Sequence, residues 1–354
     1  MISQKYKYLA AFLIALCLAV VPSWIAWGGW LPQNRTADNT AILAQTAANS
    51  KSFGLPIDCS LGEECFVMLY PDRDPGPEAV DFGCGRQTYD THKGTDFAIR
   101  SDRQMAAGVK VQASASGRVL RIRDGVADRR IRNEADTKAV NGIECGNAVV
   151  IDHGDGWESQ YCHLRNGSVT VKPGDEVQKG TVLGMVGASG LASFPHVHLS
   201  IRYQGEVVDP FVGPNAGPGC NVPRNSIWEK PLDYLPTGLI RAGFAPELPN
   251  MEKLWQGSFW EKSLSKDIPL MIFWVQAYGT LQGDKVHFKL TAPNGQVMAE
   301  NEQILEKPNR TWMGYVGKRN TQERPIIPGK WQGEYQLMRG DRVLIEVDRF
   351  VEVR

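Results

Sequence analysis

The chain has 354 residues, 42% of them hydrophobic and 22% charged, with 39 basic residues against 39 acidic ones. That length allows two domains, and the composition is that of an ordinary globular protein rather than a disordered one. A formal net charge of zero gives no electrostatic reason to expect a nucleic acid as partner, and none is expected.

The chain opens with Lys5 and Lys7, an apolar run over residues 9–21, then Pro22 and the tryptophans Trp24, Trp27 and Trp30. Such a run after positive charges suits a secretory signal; extended to Trp30 it is long enough to span a bilayer, with the tryptophans at the far interface. No small-x-small cleavage site lies close behind Val21, which favours an uncleaved anchor. Residues 1–30 are therefore expected to be a signal peptide or signal anchor. The rest is exported to the periplasm or cell envelope, and the inner membrane is a partner only if that segment stays attached. Cys17 lacks a preceding small residue and does not read as a lipidation site.

Residues 31–57, rich in Ala, Asn, Thr, Gln and Ser, read as a linker, partly helical over 40–48. With Cys17 set aside, Cys59, Cys65, Cys84, Cys145, Cys162 and Cys220 remain, and no two are spaced as Cys-x-x-Cys. An even number without that spacing argues for disulfides in an oxidising compartment rather than a zinc knuckle. Cys145 and Cys162 flank one expected hairpin and are the best pair; Cys59 with Cys65 and Cys84 with Cys220 follow by elimination.

From Cys65 onward short apolar runs alternate with glycine turns. Strands are expected over 66–70, 96–99, 109–111, 116–122, 147–152, 158–164, 168–171, 182–186 and 196–203, which describes a compact antiparallel β fold for residues 58–222. Residues 124–144 form a charged insertion longer than a hairpin needs, readable as a solvated loop or as a wall or flap of a site. Prolines crowd residues 223–262, the expected connection between domains. Residues 263–354 are expected to form a smaller β-sandwich, with strands over 270–277, 285–290, 296–300, 331–337 and 343–351 and turns at Pro293-Asn294-Gly295 and Arg339-Gly340-Asp341. Trp274, Trp312 and Trp331 read as its core rather than as carbohydrate platforms.

Six histidines occur, and four fall in three short stretches: His92-Lys93-Gly94-Thr95-Asp96, Tyr161-Cys162-His163-Leu164 and Pro195-His196-Val197-His198. On a strand His196 and His198 point the same way, about 7 Å apart, so one ion is within reach of one or both. Gly94 makes a helix unfavourable between His92 and Asp96, so a loop entering a strand aims these two. Two imidazoles and one carboxylate suit Zn²⁺, and three protein ligands leave a fourth position open, the mark of a catalytic rather than a structural site. By strand alternation Tyr161 shares a face with His163, either lining the site or packing, while Cys162 points the other way. His153, beside a glycine turn, and His287 read as structural.

These motifs, with Gly146-Asn147-Ala148-Val149-Val150-Ile151-Asp152-His153-Gly154 and Val171-Lys172-Pro173-Gly174-Asp175-Glu176-Val177, resemble the lysostaphin/LytM-type zinc metallopeptidases, the M23 family, from about Cys84 to Val212. The resemblance implies His92, Asp96 and His198 as metal ligands, His163 and His196 as the unbound catalytic histidines, and a mainly β metallopeptidase domain. It further implies a zinc-dependent endopeptidase whose partners are peptidoglycan peptides. Two alternatives stand beside it: a non-catalytic LytM-like module that binds the wall or activates another wall hydrolase, and a zinc peptidase acting on a protein. Phe194 departs from the family, where a glycine commonly precedes the Pro-His, and its bulk is expected to narrow the groove.

Overall fold

The computed structural model describes residues 51–354. The expected signal or anchor segment and most of the expected linker lie outside the described residues. Among the described residues no helix is long and apolar enough to cross a membrane.

The first part of the fold is built on β1 (Cys65–Leu69), β2 (Thr95–Ile99), β4 (Gly117–Arg123), β5 (Asn147–Gly154), β6 (Trp157–Leu164), β7 (Glu176–Val177), β9 (His196–Tyr203) and β10 (Glu206–Val208). These form one antiparallel sheet in the order β1-β2-β9-β6-β5-β4-β7, with β10 also on β9; β3 (Lys110–Gln112) pairs separately with β8 (Val182–Met185). Two-residue turns close its hairpins: Asp155 and Gly156 between β5 and β6, and Gln204 and Gly205 between β9 and β10, all with positive φ. That is the turn geometry whose twist matches the strands, and it is why a glycine stands second in each. Among the described residues helices are confined to α1 (Asp102–Ala107), α2 (Glu134–Ala139) and, later in the chain, α3 (Met251–Gln256). The expected strand over 168–171 does not form; Ser168 and Thr170 instead tie that stretch to Arg165, Val182 and Leu183 as a loop.

One core lies on this sheet, from Phe53 and Ile57 through Tyr70, Phe97, Tyr161, Leu199 and Trp228. Core packing thus begins inside the stretch expected as linker and continues into the proline-rich one. The three disulfides join Cys59 to Cys65, Cys84 to Cys220 and Cys145 to Cys162, the pairs expected from the sequence.

The second part places β11 (Gly238–Ala245), β13 (Leu270–Thr280) and β16 (Asn309–Arg319) in one sheet. A second sheet holds β12 (Ser263–Leu264), β18 (Arg342–Val353), β17 (Gly329–Arg339), β14 (Lys285–Thr291) and β15 (Val297–Ile304), in the order β12-β18-β17-β14-β15. Alternation writes the packing: Trp331, Gly333, Tyr335 and Leu337 of β17 share the inner face with Phe288 and Val286 of the neighbouring β14, and Trp312 closes the same core. The edge strand β11 was masked in the sequence by Pro236 and Pro246, which end it on both sides without entering it. The outer face of β11 and β13 meets the first sheet through a small apolar cluster, Phe66, Met68 and Ala98 against Ile240, Trp255 and Tyr278, where Phe66 and Tyr278 stack at 5.0 Å.

Two predictions concern stability. The Cys84–Cys220 bridge closes a loop of 136 residues and Cys59–Cys65 one of only 6. On chain-entropy grounds the paired serine replacements should cost about 5 and about 2 kcal/mol respectively in denaturant unfolding; the reverse order would contradict this account. Burial pushes the Asp209 carboxyl up from 3.8 to about 6, only partly offset by the Phe211 N–H at 3.0 Å and Arg73 at 3.7 Å. The folded chain then holds more protons than the unfolded one between about pH 4 and about pH 6, so Asp209 subtracts stability as pH rises through that window. Asp209→Asn should gain melting temperature over the parent progressively across the window and hold the gain at higher pH; a gap that narrows as pH rises would count against it.

Candidate metal centre

Register builds the centre. In the β2–β9 pairing Asp96 lies directly opposite His198, and in the β9–β6 pairing His198 lies opposite Cys162, so three neighbouring strands set these residues in one row. His196 shares the His198 face, two positions along β9, while Val197 and Leu199 enter the core. His92 comes from the loop before β2, after Thr91 in a left-handed conformation, φ 65°. Gly94 is demanded by contact: a Cβ there would sit 2.5 Å from His198 Nε2 and 2.6 Å from the Leu199 carbonyl oxygen.

Donor atoms of His92, Asp96 and His198 all lie within 4.8 Å of one another. His92 Nε2 is 3.2 Å from Asp96 Oδ1 and from His198 Nδ1, and His198 Nδ1 is 2.7 Å from Asp96 Oδ1. The chain sets each imidazole from behind. His92 Nδ1–H donates to the Tyr70 carbonyl at 2.7 Å, which leaves Nε2 facing the centre. His198 does the opposite: Nε2–H donates to Ser200 Oγ at 3.0 Å, and Ser200 in turn donates to the Lys93 carbonyl at 2.6 Å, which leaves Nδ1 facing the centre. Two nitrogen lone pairs and a buried carboxylate oxygen aimed at one point repel each other unless a cation lies among them, so the donor set fits a divalent metal.

His163 and His196 stand beside this set with ring centroids 4.5 Å apart. Each donates Nδ1–H to a carbonyl at 2.8 Å, Ser189 for His163 and Phe194 for His196, so each presents a bare Nε2. His196 Nε2 is 3.7 Å from Asp96 Oδ1. Burial, then the neighbouring His196 and His198, hold His163 well below the ordinary histidine range. Burial lowers His196 too, against the pull of Asp96. Burial opposes ionisation of Asp96, but whenever a proton resides on the surrounding imidazoles, His92 first and then His196 and His198, their pull outweighs it and keeps Asp96 well below the carboxylate range.

The expected strand alternation fails at His163. Tyr161 is fully buried in the core, its hydroxyl accepting from the Ser114 N–H at 2.7 Å, so it packs rather than lining the site. Cys162, expected to point away, lies on the groove face with its partner Cys145. His163 reaches the same face because its backbone is left-handed, φ 63°, which breaks the period of two. Phe194 does not line the groove: its ring lies 4.5 Å from His196 and 5.7 Å from Trp255 of α3, in the cluster between the two parts of the fold. His153 is structural, held by Ser116 and Ser159, and His287 pairs with Glu300.

Sequence reasoning missed Ser200 and Tyr89. Ser200 is the next same-face residue after His198, a signal that was available; Tyr89, its ring tilted against that of His92 with centroids 4.4 Å apart, had none. Together with Lys93, Gln160 and Arg202 they line a groove of about 220 Å³ over the histidines. Glu144 also lines it, so the charged insertion reaches the site, and the insertion is anchored by buried Arg130 to Asp102 at 2.9 Å and to Glu252 of α3 at 2.8 Å.

Residues 90–210 match the model of peptidase family M23. The chain is 31% identical over 118 residues to the peptidoglycan DD-endopeptidase ShyA of Vibrio cholerae, covering 33% of this chain and 22% of ShyA. It is 27% identical over 180 residues to the murein hydrolase activator NlpD of Salmonella dublin, covering 51% of this chain and 40% of NlpD. The chain thus spans well under half the length of either relative. Among solved structures, the catalytic domain of the antimicrobial peptidase lysostaphin from Staphylococcus simulans is similar, at 23% identity over 39% of this chain and 85% of that one, with a TM-score of 0.26.

If Ser200 holds the His198 tautomer, Ser200→Ala should weaken metal affinity about 10- to 100-fold with the fold intact, as read by competition against a chelating indicator. An unchanged affinity would remove Ser200 from the centre.

Proposed function

With residues 90–210 a peptidase family M23 domain, we propose that this chain is an exported, zinc-dependent endopeptidase that hydrolyses peptide bonds in bacterial peptidoglycan. The observation that carries the proposal is the convergence of His92, Asp96 and His198 beside two neutral imidazoles with free Nε2 atoms. ShyA, named a peptidoglycan DD-endopeptidase, supports the substrate class.

His92 Nε2, Asp96 Oδ1 and His198 Nδ1 would hold the zinc. When bound, it would polarise the scissile carbonyl and lower the pKa of water at its open position. His163 is the general base: its ring is fixed by the Ser189 carbonyl and its depressed basicity keeps Nε2 unprotonated at neutral pH. His196 Nε2, nearer Asp96, gains most from carrying a proton, because the carboxylate stabilises the imidazolium. Once protonated it can donate to the developing oxyanion or to the leaving amine. The groove lining, with Tyr89, Gln160 and Arg202, orients the peptide.

The competing reading, a non-catalytic module that activates another wall hydrolase, draws on the match to NlpD. Such a module has no need of a full ligand set with two spare histidines. Replacing His198 by Ala should abolish both zinc content and hydrolysis of purified peptidoglycan. His163→Ala should keep the zinc and lose about 10²- to 10⁴-fold in turnover. Equal metal loss in both variants would undo this division of roles, and a zinc-loaded parent that releases no peptide product would favour the activator.

A further inference from the structure

A second cleft lies where the end of β2 meets β11, β18 and the loop after α3, with a volume of about 540 Å³. Arg100, Arg241 and Arg349 line it with Lys262, against a single acid, Glu261. Arg103 adds a fourth guanidinium, stacked 3.4 Å over Trp260. Among the described residues none of these four arginines forms an ion pair with a carboxylate. Arg241 donates only to neutral carbonyls, Leu254 at 2.7 Å and Ser258 at 3.0 Å, and Arg349 to that of Asp348. Burial, followed by repulsion from Arg100 and Arg103, draws Arg241 down to about 10, and Arg349 adds to the lowering of Arg100. In a chain of zero formal charge this is a concentration of like charge, offset at Arg100 only in part, by Glu64 and Glu63 acting without a direct ion pair.

Aromatic surface flanks the cations. Trp260 lines the cleft and is 54% exposed, with Arg103 over one face of its indole; Phe350, 50% exposed, has the Lys330 ammonium 4.0 Å over its ring. Phe259, the residue before Trp260, holds a left-handed backbone, φ 60°, an unfavourable conformation for a bulky side chain that here accompanies the outward placement of Trp260. Guanidiniums for carboxylates beside the second, uncovered face of an indole for a sugar ring are the two chemistries a carboxylate-bearing glycopeptide calls for together. Phosphate alone would use the cations and not the indole. The place is also apt: Arg100 is the first residue past the end of β2, four positions after Asp96 and about 13 Å away at the rise of a strand, with Ala98 between them under the second sandwich.

We propose that this cleft binds a carboxylate-bearing segment of the wall polymer away from the bond to be cut, holding the polymer against the second sandwich. The preference for an anion stands on the cleft alone; the identity of the polymer rests on the function proposed above.

The test uses the full chain carrying His198→Ala, so that no cleavage intervenes, titrated calorimetrically with three probes. These are a disaccharide tetrapeptide with free carboxylates, the same fragment with its carboxylates amidated, and inorganic phosphate. The free-carboxylate fragment should bind, and amidation should weaken it by about tenfold or more. Arg349→Glu in the same background should weaken it by about tenfold, and Arg349→Lys should restore part of the loss. Arg349 is exposed on β18, so its replacement should leave the fold intact, with Arg100→Gln as an independent second variant and melting curves as the check. Equal binding of the amidated fragment, indifference to both arginine replacements, or phosphate binding as tightly as the fragment would each overturn the proposal. Cleavage of purified peptidoglycan by the unaltered chain separates the two claims. Cleavage without arginine-dependent binding sinks the cleft alone, whereas arginine-dependent binding without cleavage sinks the peptidase reading and leaves the cleft.

Discussion

A buried carboxylate organises this molecule. Asp96 is 3% exposed, at a place where an isolated charge would be prohibitively costly, and what makes it tolerable is the register that sets His198 across the strand and His92 four residues back. Each of those imidazoles is in turn held by the chain: the Tyr70 carbonyl orients one ring, and the Ser200 hydroxyl, passing its own proton to the Lys93 carbonyl, orients the other. Gly94 completes the arrangement by being absent where a side chain would collide with His198. The consequence is a set of acceptors with no proton left to share among them, which is what a divalent cation needs.

The second pair of histidines is positioned by a different device. A regular strand would have sent His163 into the core beside Tyr161, where an imidazole is a poor fit among apolar side chains. One left-handed residue, held by hydrogen bonds from its N–H to the Cys145 carbonyl and from its ring to the Ser189 carbonyl, turns it into the groove instead. The Cys145–Cys162 bridge next to it fastens the two segments that make those bonds. Backbone strain of this sort persists only where the surroundings over-determine it, and here a disulfide and two hydrogen bonds do so.

The second sandwich is not loosely attached to this centre. Phe194, adjacent to the Pro195-His196 step, stacks toward Trp255 of the short helix α3, and the same helix supplies Glu252 to the buried Arg130 of the charged insertion. On the far side Arg310 of β16 donates to the Thr88 carbonyl at 2.7 Å, next to Tyr89, whose ring covers His92. Both edges of the groove are therefore braced by residues outside the M23-like segment. Phe194, read from the sequence as an obstruction in the groove, is instead the apolar link between His196 and the second sandwich.

The sequence alone determined the β character and most strands of both sheets, because alternation of two and glycine turns are written locally, and histidines at short spacing offered the ligand candidates. The cysteine pairs were expectations, two of them by elimination, that only the fold decided, Cys84 and Cys220 lying 136 positions apart. Strands β11 and β16 and the helices escaped; flanking prolines hid β11, short length hid the helices, and β16, Asn309–Arg319, was not expected at all. Only the tertiary structure decided which ring nitrogen of each histidine faces the centre, since that depends on carbonyls and a hydroxyl contributed by other segments. It alone decided that His163 leaves the face of Tyr161, because a single φ angle is set by its surroundings rather than by residue type. It also decided that Arg100, Arg241 and Arg349, separated by more than a hundred positions along the chain, gather at one cleft, a meeting made by the packing of two sheets and invisible to any local pattern.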